Sequence, residues 1–575
     1  MSPRLLLLAS VLALAACESA PGPRTPPDEI PLPADDADDA PIRLAYVCGN
    51  RFVIINAHQQ AVTVRYEVRG TEERGERRLP AAIAGDPPFS EVQFTVASEN
   101  PVALYQDDSL IVVRPNEGTP CEPVVGGPEL AVAATSDAGQ WGSLFPWPIV
   151  ALHVSLLSNG RVLSWGKYGD PYLWDPSTGD FQTLGNPYWM FCAGHSLLPD
   201  GRVLVAGGHI SDDHGLPDAA IFSSGSGTFT KIKSMKFGRW YPTNTTLANG
   251  EVLVIAGRNQ SGNMVTTPEV WTGSAWRALT TAKLRLPYYP RMWAAPNGQV
   301  FYAGEQKVTR YLNASGTGSW DTVAFRKFGT RDYGSAVMYE PGKILYAGGG
   351  RTTRTAEIID LNKATPAWTY TGSMAYPRRH LNATVLPTGE VLVTGGSRGT
   401  SFNDVGLAVR VAEIWNPATG AWTQVASNAV NRVYHSASLL LPDGRVLHTG
   451  SGDAVNDGVV APDERNGELY SPPYLFKGAR PTISSAPTSA GYGTSFSVGT
   501  PDPSAIAKVS LIALGSVTHA MDQGQRFMWL SFTRETGALR VTAPAGRDIA
   551  PPGYYMLFVL NGSGVPSVAK MIRLQ

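Results

Sequence analysis

Seven positions in this chain share one register, and six of them carry side chains that could do chemistry. Counting nine residues back from the first glycine of a recurring strand motif gives Ala151, Cys192, Tyr241, Tyr289, Tyr333, His380 and His435, with Tyr434 beside the last. Imidazole and phenolate together suit Cu(II), which favours tetragonal sites of nitrogen and oxygen donors. Tyrosines on inner strands serve equally well as core packing with one hydrogen bond each. Spacing alone leaves both readings open. Cys192 and Tyr241 fall in consecutive repeats, so their side chains could touch. A thiol left over in an exported protein is either buried and inert or chemically used.

The elements that must position these residues are strands. The motif reads NGRVLSWG at 159, DGRVLVAGG at 200, NGEVLVIAG at 249, NGQVFYAG at 297, PGKILYAGGG at 341, TGEVLVTGG at 388 and DGRVLHTGSG at 443. Its first glycines are 160, 201, 250, 298, 342, 389 and 444, a period of 41 to 55 residues that lies in the kelch range. Most units carry a second strand with Trp or Tyr, as in LWDPSTGDF, VWTGSAWRAL and IWNPATGAWTQV. The fold class expected is all-β: a seven-bladed kelch-type β-propeller over 131–477. Equivalent positions of a propeller form a ring, so the seven residues should surround one mouth of its channel. Residues 478–575 alternate apolar and polar, as an immunoglobulin-like β-sandwich does.

The N-terminal end is read in three parts. MSPRLLLLASVLALAAC has the layout of a secretory signal, and its Leu14-Ala15-Ala16-Cys17 ending resembles a bacterial lipoprotein signal with Cys17 as the lipidated residue. Ordinary cleavage nearby is the alternative. Residues 18–41, rich in Pro and Asp, should form a disordered tether. Residues 42–125 read as a small β domain that an oxidising compartment would close with a Cys48–Cys121 disulfide. These features point to an exported protein, lipid-anchored to the cell envelope, that touches the membrane only through its anchor. The charge balance is −1 with no basic block, which argues against nucleic acid as a partner. A monomer is expected.

Four motifs carry a resemblance. FCAGH at Cys192, GRWYPT around Tyr241, NRVYHSASLLLPDG around Tyr434 and His435, and SVTHAMDQGQR around His519 together resemble the copper radical oxidases, the family of galactose oxidase and glyoxal oxidase. The likeness runs from about residue 140 to the C-terminus and includes ELYSPPYLF. RWYPT and GQWGSLFPWPIVALHVSLL look closer to the glyoxal oxidase branch. The resemblance implies one copper ion and a protein-derived Tyr-Cys radical. Cys192 Sγ would be joined to the ring of Tyr241 by a thioether formed with copper and oxygen. Tyr241 would be an equatorial ligand and the seat of the radical. His435 and His519 would supply two nitrogens, and Tyr434 would be the axial ligand and the base. The implied reaction oxidises a small aldehyde of glyoxal or methylglyoxal type, or a primary alcohol, with O2 and yields hydrogen peroxide. Copper acidifies a bound hydroxyl, which a nearby phenolate can deprotonate.

One departure stands out. The stretch where galactose oxidase carries a tryptophan over its cross-linked tyrosine is here VIAGRNQSGN, with Arg258 and Asn259 and no aromatic residue. A less shielded radical is the expectation. Tyr289, Arg291, Tyr333 and His380 are candidates for the substrate wall, with core packing as the rival reading. His195, His209, His214 and His448 read as structural, and His153 could line the channel. The competing function is a surface-anchored kelch propeller that binds a glycan or a protein partner without catalysis. Such a binder would have no reason to hold Cys192, Tyr241, Tyr434, His435 and His519 together.

Overall fold

The structure, a computed structural model, describes residues 42–575 except 49, 57, 59, 80–89, 117–133, 454, 457–458 and 461. Cys17, the segment 1–41 and Cys121 lie outside the described residues, as does the side chain of Cys48, so the expected anchor, tether and disulfide fall there as well. Among the described residues, no helix is long and apolar enough to cross a membrane.

The chain is almost entirely β. Residues 42–116 form a three-stranded and a four-stranded sheet around a core of their own that includes Phe52, Ile54, Tyr66, Phe94 and Leu104. Seven antiparallel sheets follow, over residues 153–183, 194–231, 243–278, 291–325, 335–370, 382–427 and 436–471. Here they are blades 1 to 7. The second strand of each, such as Val203–Ala206 or Val252–Ile255, is buried along its length rather than alternating, save for the half-buried Lys343 that opens it in blade 5. Both its faces are covered by neighbouring blades, so an unbroken Val/Leu/Ile run suits it. Blade 7 takes its outer strand from Gln140–Trp141, which pairs with Tyr470 and Ser471 and so joins the two ends of the ring.

Indoles on outer strands tie blades to their neighbours. Trp276 donates to Lys233 O (2.6 Å), Trp320 to Ala282 O (2.9 Å), Trp422 to Gly372 O (2.6 Å) and Trp141 to Ala426 O (2.8 Å). This gives the repeating tryptophan of the sequence a physical role: one apolar body and one satisfied N–H at each seam.

The C-terminal domain stacks a five-stranded on a three-stranded sheet. It also sends a hairpin into the propeller. Ser516–Thr518 pairs with the innermost strand of blade 1, with His153 opposite Thr518, and turns back as Met521–Asp522.

Candidate copper site

The ring positions share a backbone conformation. Cys192, Tyr241, Tyr289, Tyr333, His380 and His435 have φ of 61°, 65°, 45°, 52°, 58° and 66°. Left-handed backbone costs an L-residue roughly 1–2 kcal/mol, so six such seats need support. Part of it runs from blade to blade. Tyr241 N–H donates to Cys192 O (2.9 Å), Tyr289 N–H to Tyr241 O (3.0 Å) and His380 N–H to Tyr333 O (2.8 Å).

The rest comes from four buried ion pairs. Arg239–Glu269, Arg331–Glu357, Arg378–Glu413 and Arg432–Glu468 lie at 3.0, 2.8, 2.8 and 3.2 Å in blades 3, 5, 6 and 7. Each arginine precedes a ring residue by two or three positions. Its Nη1 donates to the carbonyl at the end of the second strand, at Ala256, Gly348, Gly395 or Gly450. Each glutamate accepts from the backbone N–H of the segment entering its blade, at Lys236, Lys327, Ala375 or Ala429. Held by these several hydrogen bonds each, the pairs fix the approach to the ring.

A further left-handed seat lies outside the repeat. His519 and Ala520 are the two turn residues of the C-terminal hairpin, at φ 47° and 64°. Two positive φ values in a two-residue loop match a type I′ turn, which suits the twist of the strands. Asp522 Oδ1 accepts from the N–H groups of Ser516, Gly524 and Gln525, each at 3.0 Å. Gln523 accepts from Asn244 N–H (2.8 Å), and Gln525 from Val385 N–H (2.9 Å). Every polar residue of DQGQ therefore anchors the hairpin that carries His519.

These seats bring four donors together. Tyr241 and Tyr434 hydroxyls are in hydrogen-bond contact, and His519 Nε2 lies 3.0 Å from Tyr241 Oη. The rings of His435 and His519 stand perpendicular, 4.8 Å apart, and Tyr434 stacks on His435 at 3.9 Å. His435 donates Nδ1–H to Gly452 O (2.6 Å), which leaves its Nε2 lone pair buried with no hydrogen-bond partner. His519 Nδ1 is engaged by Thr518 Oγ1 (2.7 Å). Burial pushes His435 down to about 3 and His519 well below the usual imidazole range. Both are therefore neutral, the form that binds a metal. An orphaned imidazole nitrogen beside a second imidazole and two phenols fits copper. Among the described residues, no three His, Cys, Asp or Glu side chains form a metal site without the tyrosines. Cys192 is fully buried in one cluster with Tyr241, Trp240 and Tyr289, and its N–H donates to His153 Nε2 (3.2 Å).

Comparison with known proteins agrees with this geometry. Family models described as glyoxal oxidase N-terminus and as galactose oxidase-like, early set domain match residues 348–474 and 480–574. Galactose oxidase of Gibberella zeae is 31% identical over 490 residues, covering 76% of this chain and 70% of that protein. The chain belongs to the copper radical oxidases. Aldehyde oxidase GLOX of Vitis pseudoreticulata is 29% identical over 481 residues, 72% of this chain and 87% of that one. A fungal alcohol oxidase solved in complex with copper aligns with a TM-score of 0.70 at 27% identity, over 76% of this chain and all of that one. The protein is thus a copper-dependent oxidase with one copper ion and a Tyr-Cys radical cofactor, and nothing found favours a non-catalytic propeller.

In the oxidase, the expectation of a less shielded ring at Tyr241 is corrected. Trp240, the residue just before Tyr241, lies flat on its ring at 4.0 Å and 12°. Arg258 and Asn259 are as non-aromatic as the sequence says, but the shield comes from elsewhere. Arg258 instead pairs with Asp213 (3.0 Å) and donates to Tyr288.

The four wall candidates separate. Tyr289 stacks on both Tyr241 (4.8 Å) and His519 (4.7 Å) and donates its hydroxyl to Ala193 O (3.1 Å), a packing position. Arg291 is buried and donates to Tyr289 O (2.9 Å) and Gly334 O (2.7 Å), joining blades 4 and 5. Tyr333 and His380 stand beside Tyr434, with ring centroids 5.8 and 5.2 Å from it. Phe402, which the sequence does not single out, completes that wall at 4.9 Å. His153 stacks on Trp165 at 4.8 Å, and His195 Nδ1 bonds Ser155 Oγ (2.9 Å). His209 accepts the indole N–H of Trp240 (3.0 Å), His214 Nδ1 bonds Asp212 O (2.8 Å), and His448 is buried in blade 7. A cavity of about 880 Å³ between blades 5 to 7 and the C-terminal domain shares no residue with this cluster.

Proposed function

We propose that Tyr241, Tyr434, His435 and His519 hold the copper, that Cys192 and Tyr241 form the thioether, and that the substrate is a small aldehyde hydrate of the glyoxal type, with a primary alcohol as the second choice. The observation that carries this reading is the convergence of two phenol oxygens on two neutral imidazole nitrogens, one of them buried without a hydrogen-bond partner. The glyoxal oxidase match across blades 5 to 7 supports the aldehyde.

Copper, when bound, supplies one of two one-electron acceptors and acidifies a hydroxyl beside it. Tyr434 takes the proton of the substrate hydroxyl. The oxidised ring of Tyr241 takes a hydrogen atom from the substrate carbon, within reach of the same phenol pair. Overall R–CH(OH)2 loses two electrons and two protons to become R–COOH, and one O2 gains both to become H2O2. Trp240 and Tyr289 cover the two faces of Tyr241 and keep water from its ring. Tyr333, His380 and Phe402 form the wall that orients the substrate toward Tyr434. His380 is held in place through its Nε2–H, which donates to Phe402 O.

A peptide map by mass spectrometry of the copper-treated, reduced and alkylated protein tests the cofactor. One linked species containing Cys192 and Tyr241 and lacking two hydrogens is expected. Full alkylation of Cys192 overturns the assignment. Catalase-sensitive peroxide release with methylglyoxal but not with galactose would fix the substrate class; the reverse pattern would replace it with the alcohol. Export with lipid attachment at Cys17 and a Cys48–Cys121 disulfide belong to the same proposal. Loss of labelled fatty acid in Cys17→Ser checks the first.

A further inference from the structure

Tyr241 is fully buried, so a single electron that reaches or leaves its ring outside turnover must cross protein. One line of contacts leads from it to solvent. Trp240 lies flat on Tyr241, and its indole N–H donates to His209 Nδ1 at 3.0 Å. His209 is buried. Trp189 packs edge-on against its ring, with centroids 4.5 Å apart, and the backbone N–H of His209 donates to Trp189 O at 3.0 Å. Trp189 is 40% exposed, the one exposed tryptophan among the described residues. Its own N–H is fixed on Lys167 O (2.7 Å), and Tyr168, the residue after Lys167, and Ile210, the residue after His209, are open to solvent.

The other rings around Tyr241 are buried or meet it edge-on. Tyr289 is buried and bonded to Ala193 O. Tyr288 is half-buried but meets Tyr241 edge-on at 78°, and its hydroxyl donates to Asp213. Face-to-face overlap belongs to Trp240 among these outward routes. Nothing in substrate oxidation requires an indole bonded to a buried histidine and ending at an open tryptophan.

We infer that Trp240, His209 and Trp189 form a relay through which Tyr241 exchanges single electrons with small oxidants at the surface. This rests on Tyr241 being the redox ring of the proposed site. In the forward direction Tyr241 loses one electron, which passes by way of Trp240 and Trp189 to a one-electron acceptor such as ferricyanide, itself reduced to ferrocyanide. While Trp240 carries the hole, its indole proton moves to His209 Nδ1; it returns when Tyr241 refills the ring. With copper held by Tyr241, the phenol would already be a phenolate, so no proton would leave with the electron. The relay ends as it began, and the oxidase has its Tyr241 in the oxidised form without any oxidant entering the buried site.

The test uses the copper-loaded enzyme with its thioether verified by mass, reduced by one electron and mixed with ferricyanide in the absence of substrate. Radical absorbance and ferricyanide consumption are followed by stopped flow. Trp189→Phe should slow both by about tenfold or more while leaving aldehyde turnover unchanged. His209→Phe should slow them as well, and His209→Gln, which still accepts the indole hydrogen bond but cannot take its proton, should fall between. In the wild type, oxidant without substrate should mark Trp189 by a mass increase of one oxygen before other tryptophans. Wild-type rates in both Trp189→Phe and His209→Phe overturn the relay, as does slowing confined to Tyr288→Phe. If His209→Phe does not fold, exposed Trp189 decides alone. A wild-type enzyme that shows no radical absorbance at all counts instead against the assignment of Tyr241.

Discussion

The two halves of the ring differ in what their side chains do and hardly at all in how their backbone is held. Cys192, Tyr241 and His435 occupy left-handed seats on the side of the proposed copper site; Tyr289, Tyr333 and His380 occupy the same seats on the other. The second group packs, bonds backbone carbonyls or lines the approach to Tyr434. A left-handed seat is therefore a property of the propeller, used for chemistry at some blades and for packing at the rest. What turns one half into a site is the pair added to it: Tyr434 beside its seat, and His519 delivered by another domain.

Removing one phenolic oxygen from each half gives the sharpest contrast. Tyr434→Phe should lower kcat by about a hundred- to ten-thousand-fold, the usual worth of a positioned acid–base group, with the melting temperature nearly unchanged. Tyr289→Phe loses only its hydrogen bond to Ala193 O and should cost about 1 kcal/mol of stability with turnover within a few-fold. Equal losses of kcat in the two variants would erase the distinction between the halves.

The scaffold beneath the ring is the next target. Glu413→Ala leaves Arg378 buried and unpaired under His380 and strips acceptors from Ala375 and Tyr376. A loss of about 3–5 kcal/mol is expected, read by urea unfolding, while bound copper per folded molecule stays constant. Loss of copper at full folding would mean that the packing half reaches into the ligand half.

A smaller effect separates ligand from scaffold histidines. His448 lies in blade 7, and burial, with Arg432 and Arg378 close by, holds its pKa well below 6.5. Below pH 6.5 the unfolded chain then binds a proton that the folded chain does not. Stability is full above that pH and falls as pH drops toward the folded pKa, by about 1.4 kcal/mol per pH unit. In the copper-loaded protein His448→Gln should reduce the acid slope by this amount, measured by urea unfolding between pH 6.5 and 5. An unchanged slope would assign the acid sensitivity to other histidines.

Much of this was legible because the repeat fixes a register. Gly160 to Gly444 locate the seats, and four short motifs locate the five residues read as carrying the chemistry. Trp240 was missed for a physical reason. Strand logic sends neighbouring side chains to opposite faces, but Tyr241 sits at φ 65°, where alternation fails, and its neighbour folds over its ring. The Arg–Glu pairs were missed because charge in a sequence reads as surface. Their trace was present, however, in PEVW, AEII, AEIW and GELY, where a glutamate opens or follows the start of each third strand. His209 was read as structural, and only its bond to an indole already stacked on Tyr241 gives it a further part.

The smallest effect concerns a seat that breaks the glycine pattern. At Gly207, Gly348 and Gly395, which end second strands at φ 81°, 65° and 62°, an added Cβ would meet the carbonyl of Arg239, Arg378 or Arg432 in the next blade at 2.3, 2.5 and 2.6 Å. Blade 3 has Ala256 at the corresponding place, with φ 65°. Two positions before the ring residue Tyr289, the next blade carries Pro287 where blades 3, 5 and 6 carry an arginine. The methyl is tolerated where no arginine staple draws the chain in, but the left-handed backbone remains costly for alanine. Ala256→Gly should thus relieve strain and raise stability by up to about 1 kcal/mol, less the small apolar burial of one methyl. The converse change, Gly395→Ala, should destabilise by well over that, since φ and contact oppose it together. A thermal melt of the two variants decides: if Ala256→Gly loses as much as Gly395→Ala, alanine at that seat is packed rather than merely tolerated, and the glycine pattern reflects close approach alone.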